Sequence, residues 1–117
     1  MLEHELYTII LIADKVARIR LNPESGIFKA HFPENPVTPG VCQVGIIGEI
    51  AGKISGGSLA LREVKTLKYT DILRPESSDV EVIFDKLEEA GGEVAAKGTV
   101  VSNGKVFTKF SLIFGKE

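Results

Sequence analysis

Three of the five prolines in this 117-residue chain crowd into one stretch, His31-Phe32-Pro33-Glu34-Asn35-Pro36-Val37-Thr38-Pro39-Gly40-Val41, and a histidine stands at its head. Each proline fixes its own φ and pushes its predecessor away from helix, so 31–38 is expected to be a stiff loop. A stiff loop can aim an imidazole that titrates near neutrality, which suits His31 to abstract an acidic C–H proton. Thr38-Pro39-Gly40 reads as a helix start, with Thr38 as N-cap and Pro39 at the first helical position. The first-turn amides around Gly40, Val41 and Cys42 would then be unpaired at the positive end of the helix dipole. A thioester carbonyl received there would be polarised as an enolate develops. A loop histidine satisfied by backbone is the plainer alternative for His31.

The helix, expected over Val41–Ile54, carries the other chemically interesting groups. At about 100° per residue Val44, Ile47, Ile50, Ala51 and Ile54 share one face, while Cys42, Gly45, Gly48, Glu49, Gly52 and Lys53 share the other. Cys42 is either a first-turn thiol with nucleophilic character or a small apolar filler. Gln43 reads as a buried hydrogen-bonding residue or a catalyst. The glycine stripe serves close packing, or makes room for an acyl chain, or both. Interior glycines cost about 1 kcal/mol each relative to alanine, so burial must hold this helix. His4 lies in a terminus expected to fray. The two histidines and single cysteine make no metal-ligand spacing, and neither metal nor cofactor is expected.

Around the helix the pattern is extended. Leu6–Leu21 reads as a strand region broken or bulged at Ala13-Asp14-Lys15 and closed by the turn signal Asn22–Gly26. Beyond Ser55-Gly56-Gly57 the period becomes two, in Leu59–Leu67, Val80–Asp85, Val94–Val101 and Lys105–Phe114, the last two joined by Ser102-Asn103-Gly104, a hairpin signal. One curved antiparallel sheet wrapped around one central helix, an α+β architecture within a single domain spanning 1–117, buries both patterns economically. With 14 Lys and Arg against 16 Asp and Glu, net charge −2, nucleic acid is a poor partner. No run reaches the 18 apolar residues that span a bilayer, and an acidic start without a signal pattern makes a soluble, cytoplasmic protein the expectation.

The motif from His31 to Val41, followed by an apolar helix bearing Gly and Ala, resembles the signature of the 3-hydroxyacyl-(acyl carrier protein) dehydratases of fatty-acid synthesis, which have the hot-dog fold. Thr66–Pro75 resembles the family's basic strand end before a proline turn. The resemblance implies a homodimer, or a higher homo-oligomer, in which the histidine works with an acid on the partner's helix. Together they remove water from a (3R)-3-hydroxyacyl thioester on acyl carrier protein or coenzyme A, leaving a trans-2-enoyl thioester. On this resemblance Gly40 and Val41 bind the thioester carbonyl. The family's helix acid, fourteen residues after the histidine, falls on Gly45. Glu49, one turn further on the same face, is the replacement candidate, its alternative being an ion pair with Lys53. Glu34, where the family usually has glycine, puts a charge near His31. Lys65, Lys68 and Arg74 form either a basic rim for an acidic carrier protein or ordinary surface. Two other activities suit the same residues: thioester hydrolysis, and a non-catalytic carrier-binding or heterodimer subunit.

Overall fold

The computed structural model describes residues 1–30, 34–76 and 79–117. Six strands form one antiparallel sheet, β1 (Tyr7–Ala13), β2 (Val16–Leu21), β3 (Leu59–Tyr69), β4 (Val80–Ala90), β5 (Glu93–Ser102) and β6 (Lys105–Lys116), in the order β1-β2-β4-β5-β6-β3. A short helix, α1 (Gly26–Ala30), and a long one, α2 (Gly40–Ser55), precede β3. This is the hot-dog arrangement, with α2 laid against the sheet.

The strand region at 6–21 is two strands. Ala13 pairs with Val16, and Asp14 turns the chain at φ 56°, so the interruption is a hairpin; the bulge lies earlier, between Ile9 and Leu11. The Asn103-Gly104 hairpin is as expected, both residues having positive φ (52° and 77°), the conformation this tight turn requires. Alternation on β6 also holds, with Thr108, Phe110, Leu112 and Phe114 buried on one face. On β3 it does not. Two register shifts, Leu61/Glu63 and Val64/Thr66, break the period, and β3 is an edge strand left mostly exposed. Helix α1 is an element the sequence did not announce.

Helix α2 begins one residue differently from expectation. Pro39 itself is the N-cap, without a side-chain capping bond, and Gly40 is the first helical residue. Thr38 is drawn inward instead: its N–H donates to the Leu73 carbonyl at 2.7 Å, and its buried Oγ1 has no partner among the described residues. At the other end Gly56 adopts the left-handed conformation (φ 86°), and the Gly56 and Gly57 N–H groups both donate to the Gly52 carbonyl. Ile46, Ile47, Ile50 and Ala51 are buried with Ile19, Val80, Val82, Val100, Phe110 and Phe114 of the sheet. Low helix propensity is therefore overridden by apolar burial worth about 1.5–3 kcal/mol for each large side chain.

Gly98 of β5 sits where β4 bulges, between Phe84 and Lys86. A Cβ there would run into the Ile83 backbone carbonyl, which no side-chain rotation relieves. Gly98→Ala should lower stability by about 2 kcal/mol in urea unfolding. Gly57→Ala, whose Cβ meets nothing within 4 Å, should change it by less than about 0.5 kcal/mol.

Candidate active site

The N-terminus of α2 is framed by the loop before it and by β3 with the segment that follows it. Residues 34–39 are tied to the chain beyond β3: Thr38 N–H bonds Leu73, and the Arg74 guanidinium donates through Nη1 to Asn35 Oδ1. Arg74 thus braces the proline loop, while Lys65 and Lys68 stay exposed on β3. Glu34 is exposed. His31 lies outside the described residues, as do Phe32 and Pro33.

Tyr69, at the end of β3, lays its ring directly on Gly40, where any Cβ would collide with the phenol. Glycine at 40 is what admits that ring. Partial burial raises the Tyr69 pKa, so the hydroxyl remains a donor at neutral pH, and the side chain is 47% exposed. Among the described residues no hydrogen bond uses the Gly40 or Val41 N–H, whereas the Cys42 N–H donates to the Pro39 carbonyl at 3.0 Å. The open amides are therefore Gly40 and Val41, and Cys42 leaves the set expected from sequence. Burial pushes the Cys42 thiol up, and its side chain packs against the core, as a filler does. Gln43 is buried, its Oε1 accepting from Thr108 Oγ1 and its Nε2 lying 3.4 Å from the Thr38 carbonyl. That is a satisfied core residue.

The next turns of α2 meet the N-terminal segment, which is not frayed. Leu6 and Tyr7 are fully buried. Leu2 covers Gly45, where a Cβ would come within 2.7 Å of Leu2 Cδ1. Glu49 points at the same segment: its Oε2 accepts from the Leu2 N–H at 2.7 Å, and its Oε1 accepts from the Glu3 N–H at 3.0 Å and the Tyr7 hydroxyl at 2.9 Å. Burial and the Glu49 carboxylate both push the Tyr7 pKa up, holding it as a phenol. Lys53 pairs with Glu3 at 3.0 Å, and no ion pair joins it to Glu49. Leu2, Glu3, Tyr7 and Tyr69 are thus site neighbours that sequence spacing could not reveal, because each meets α2 only through the fold.

Val41, Gly45 and Glu49 line one open cavity of about 690 Å³ along α2, with Gly48, Gly52 and Leu61. Its size lies within the roughly 300–1,000 Å³ of small-molecule sites. Gly48 lies under the Phe114 ring and Gly52 against the Gly57 carbonyl, so the stripe packs tightly while also forming the cavity floor.

The family model of the ApeI-like proteins, described as ApeI dehydratase, matches residues 13–105. The 3-hydroxyacyl-[acyl-carrier-protein] dehydratase FabZ of Latilactobacillus sakei subsp. sakei (strain 23K) is 29% identical over 93 residues, which cover 73% of this chain and 66% of that one, a little under two thirds of its length. Among solved structures, the dehydratase heterocomplex ApeI:P from Xenorhabdus doucetiae superposes with a TM-score of 0.66 at 18% identity, over 92% of this chain and 96% of the other. The BH2602 protein from Bacillus halodurans, solved with CoA, gives a TM-score of 0.62 at 13% identity, over 92% of this chain and 70% of the other. At those identities the two structures speak for the fold, and the family model speaks for kinship: this chain belongs to the ApeI-like dehydratase family.

Proposed function

We propose that the protein removes water from a (3R)-3-hydroxyacyl thioester, carried on acyl carrier protein or coenzyme A, to give the trans-2-enoyl thioester in fatty-acid or related acyl-chain biosynthesis in the cytoplasm. The observation that carries this reading is the pair of open amides at Gly40 and Val41, uncapped by any side chain and immediately downstream of the His31 motif. Two backbone donors at a helix N-terminus suit the carbonyl of a thioester, which gains negative charge as the C2 proton leaves. His31 takes that proton. The C3–O bond then breaks, and the hydroxyl needs a proton to depart as water. Gly45 has no side chain to supply one, so Glu49, one turn further along α2, is assigned that task. The family membership and the activity in the name of the Latilactobacillus relative support the reaction class.

The active unit in this reading is a homodimer of one-domain protomers. Strand β3 supports this: it is an 11-residue edge with Leu61, Val64 and Tyr69 each at least 45% exposed, a surface that pairs readily with another strand. A second reading, a subunit that pairs with an acid-bearing relative, draws on Gly45 and on the heteromeric Xenorhabdus complex.

His31→Ala should reduce the kcat/KM for dehydration of 3-hydroxybutyryl-CoA by about 100-fold or more, followed as enoyl absorbance. Unchanged turnover would remove His31 as the base. Thiol release without enoyl formation would instead indicate hydrolysis, and activity arising only on mixing with an acid-bearing relative would favour the second reading. In light scattering the protein should run at twice its 12.7 kDa chain mass, and Val64→Lys should shift it toward monomer.

A further inference from the structure

Glu49 is the sole carboxylate on α2, and both of its oxygens are occupied by donors from one short piece of chain: the Leu2 and Glu3 amides and the Tyr7 hydroxyl. Held this way it accepts three hydrogen bonds and presents no proton. The same piece of chain places Leu2 over Gly45, the position beside which the acid would have to work. Its root is fixed, because Leu6 is fully buried and its N–H bonds the Leu2 carbonyl at 2.8 Å. Its tip is a tight turn through His4 at φ 73°, and Met1 beyond it is 89% exposed at the cavity wall. A non-glycine residue with positive φ is uncommon and persists where surrounding contacts hold it. Here the contacts that tie the turn to α2 are the Glu49 clasp, the Glu3–Lys53 ion pair and the Leu2 side chain.

We propose that Met1–Leu6 is an autoinhibitory latch: Glu49 holds it closed over Gly45, and an acyl thioester entering beside α2 displaces it and releases Glu49 for the reaction. The inference rests on the dehydratase reading and names the regulation of that site. Once free of its donors, Glu49 takes up a proton from solvent and, as the carboxylic acid, passes it to the C3 hydroxyl as the C3–O bond breaks. Water leaves, Glu49 becomes a carboxylate, and His31 holds the proton taken from C2. His31 then loses its proton to solvent, matching the one Glu49 took from solvent on opening, and the Glu49 carboxylate can again accept from the Leu2 and Glu3 amides of the latch and from the Tyr7 hydroxyl.

Tyr7→Phe deletes one clasp donor while keeping the buried ring, and Leu2→Gly uncovers Gly45 at a partly exposed position. A brace that merely supports the fold would lose activity when loosened. A latch gains it. Dehydration of 3-hydroxybutyryl-CoA by either variant of the 117-residue chain should rise, by about tenfold for Tyr7→Phe, since a hydrogen bond to a charged group biases the closed state by about that factor. Equal or lower turnover than the natural chain overturns the latch and leaves the dehydratase reading standing. If no form turns over the substrate, the dehydratase reading fails, and exchange of the Leu2 and Glu3 amides on addition of crotonyl-CoA decides the latch. Faster exchange supports displacement by a thioester, and unchanged exchange overturns it.

Discussion

The structure depends on burying a helix that would not form alone. Three interior glycines, Gly45, Gly48 and Gly52, weaken α2 by about 1 kcal/mol each, yet they allow what stabilises it. Gly48 lets the Phe114 ring approach, Gly52 takes the Gly57 carbonyl, and the neighbouring Ile47, Ile50 and Ala51 are fully buried. Because α2 is pressed to the sheet by side chains on one face, its opposite flank stays open as the cavity, and its first turn stands uncapped beside the end of β3. Packing and chemistry thus draw on the same small residues.

Much of this architecture was legible in the residue pattern. Asn103-Gly104 marked its hairpin because only a few residue types accept two consecutive positive φ values, and β6 kept its period of two from Thr108 to Phe114 because that face is buried. Asp14 announced an interruption, although nothing local distinguished a reversal from a bulge. α1, five residues long, is too short to show a helical period. β3 was legible as a strand but not as an edge, since its exposure follows from where the sheet ends and from two bulges that shift its side chains between faces. Thr38 looked like a capping residue by type and position. The backbone bond from its N–H to Leu73 holds it elsewhere, and that partner lies 35 positions away in the chain.

The same division runs through the site. The unpaired Gly40 and Val41 amides were readable because the first amides of any helix lack an intrahelical acceptor, a strictly local matter. The surroundings of Glu49 were not, since its three donors lie more than 40 residues earlier. An i,i+4 pair with Lys53 was the obvious local guess, and the fold gave Lys53 to Glu3 instead. Glycine at 45 likewise looked like a missing side chain. In the folded protein its place is filled from outside the helix, by Leu2.

Buried Thr108 of β6 donates to buried Gln43 of α2, whose amide nitrogen in turn reaches the Thr38 carbonyl, so the pair ties the helix to the sheet in one rotational setting. Replacing either alone by an aliphatic residue strands a buried polar group, at a cost of about 1–3 kcal/mol, whereas replacing both by residues of matching shape can be nearly neutral. A change at one of these two sites is therefore tolerated best when the other changes with it, and the setting of α2, with the two amides it presents, depends on the pair.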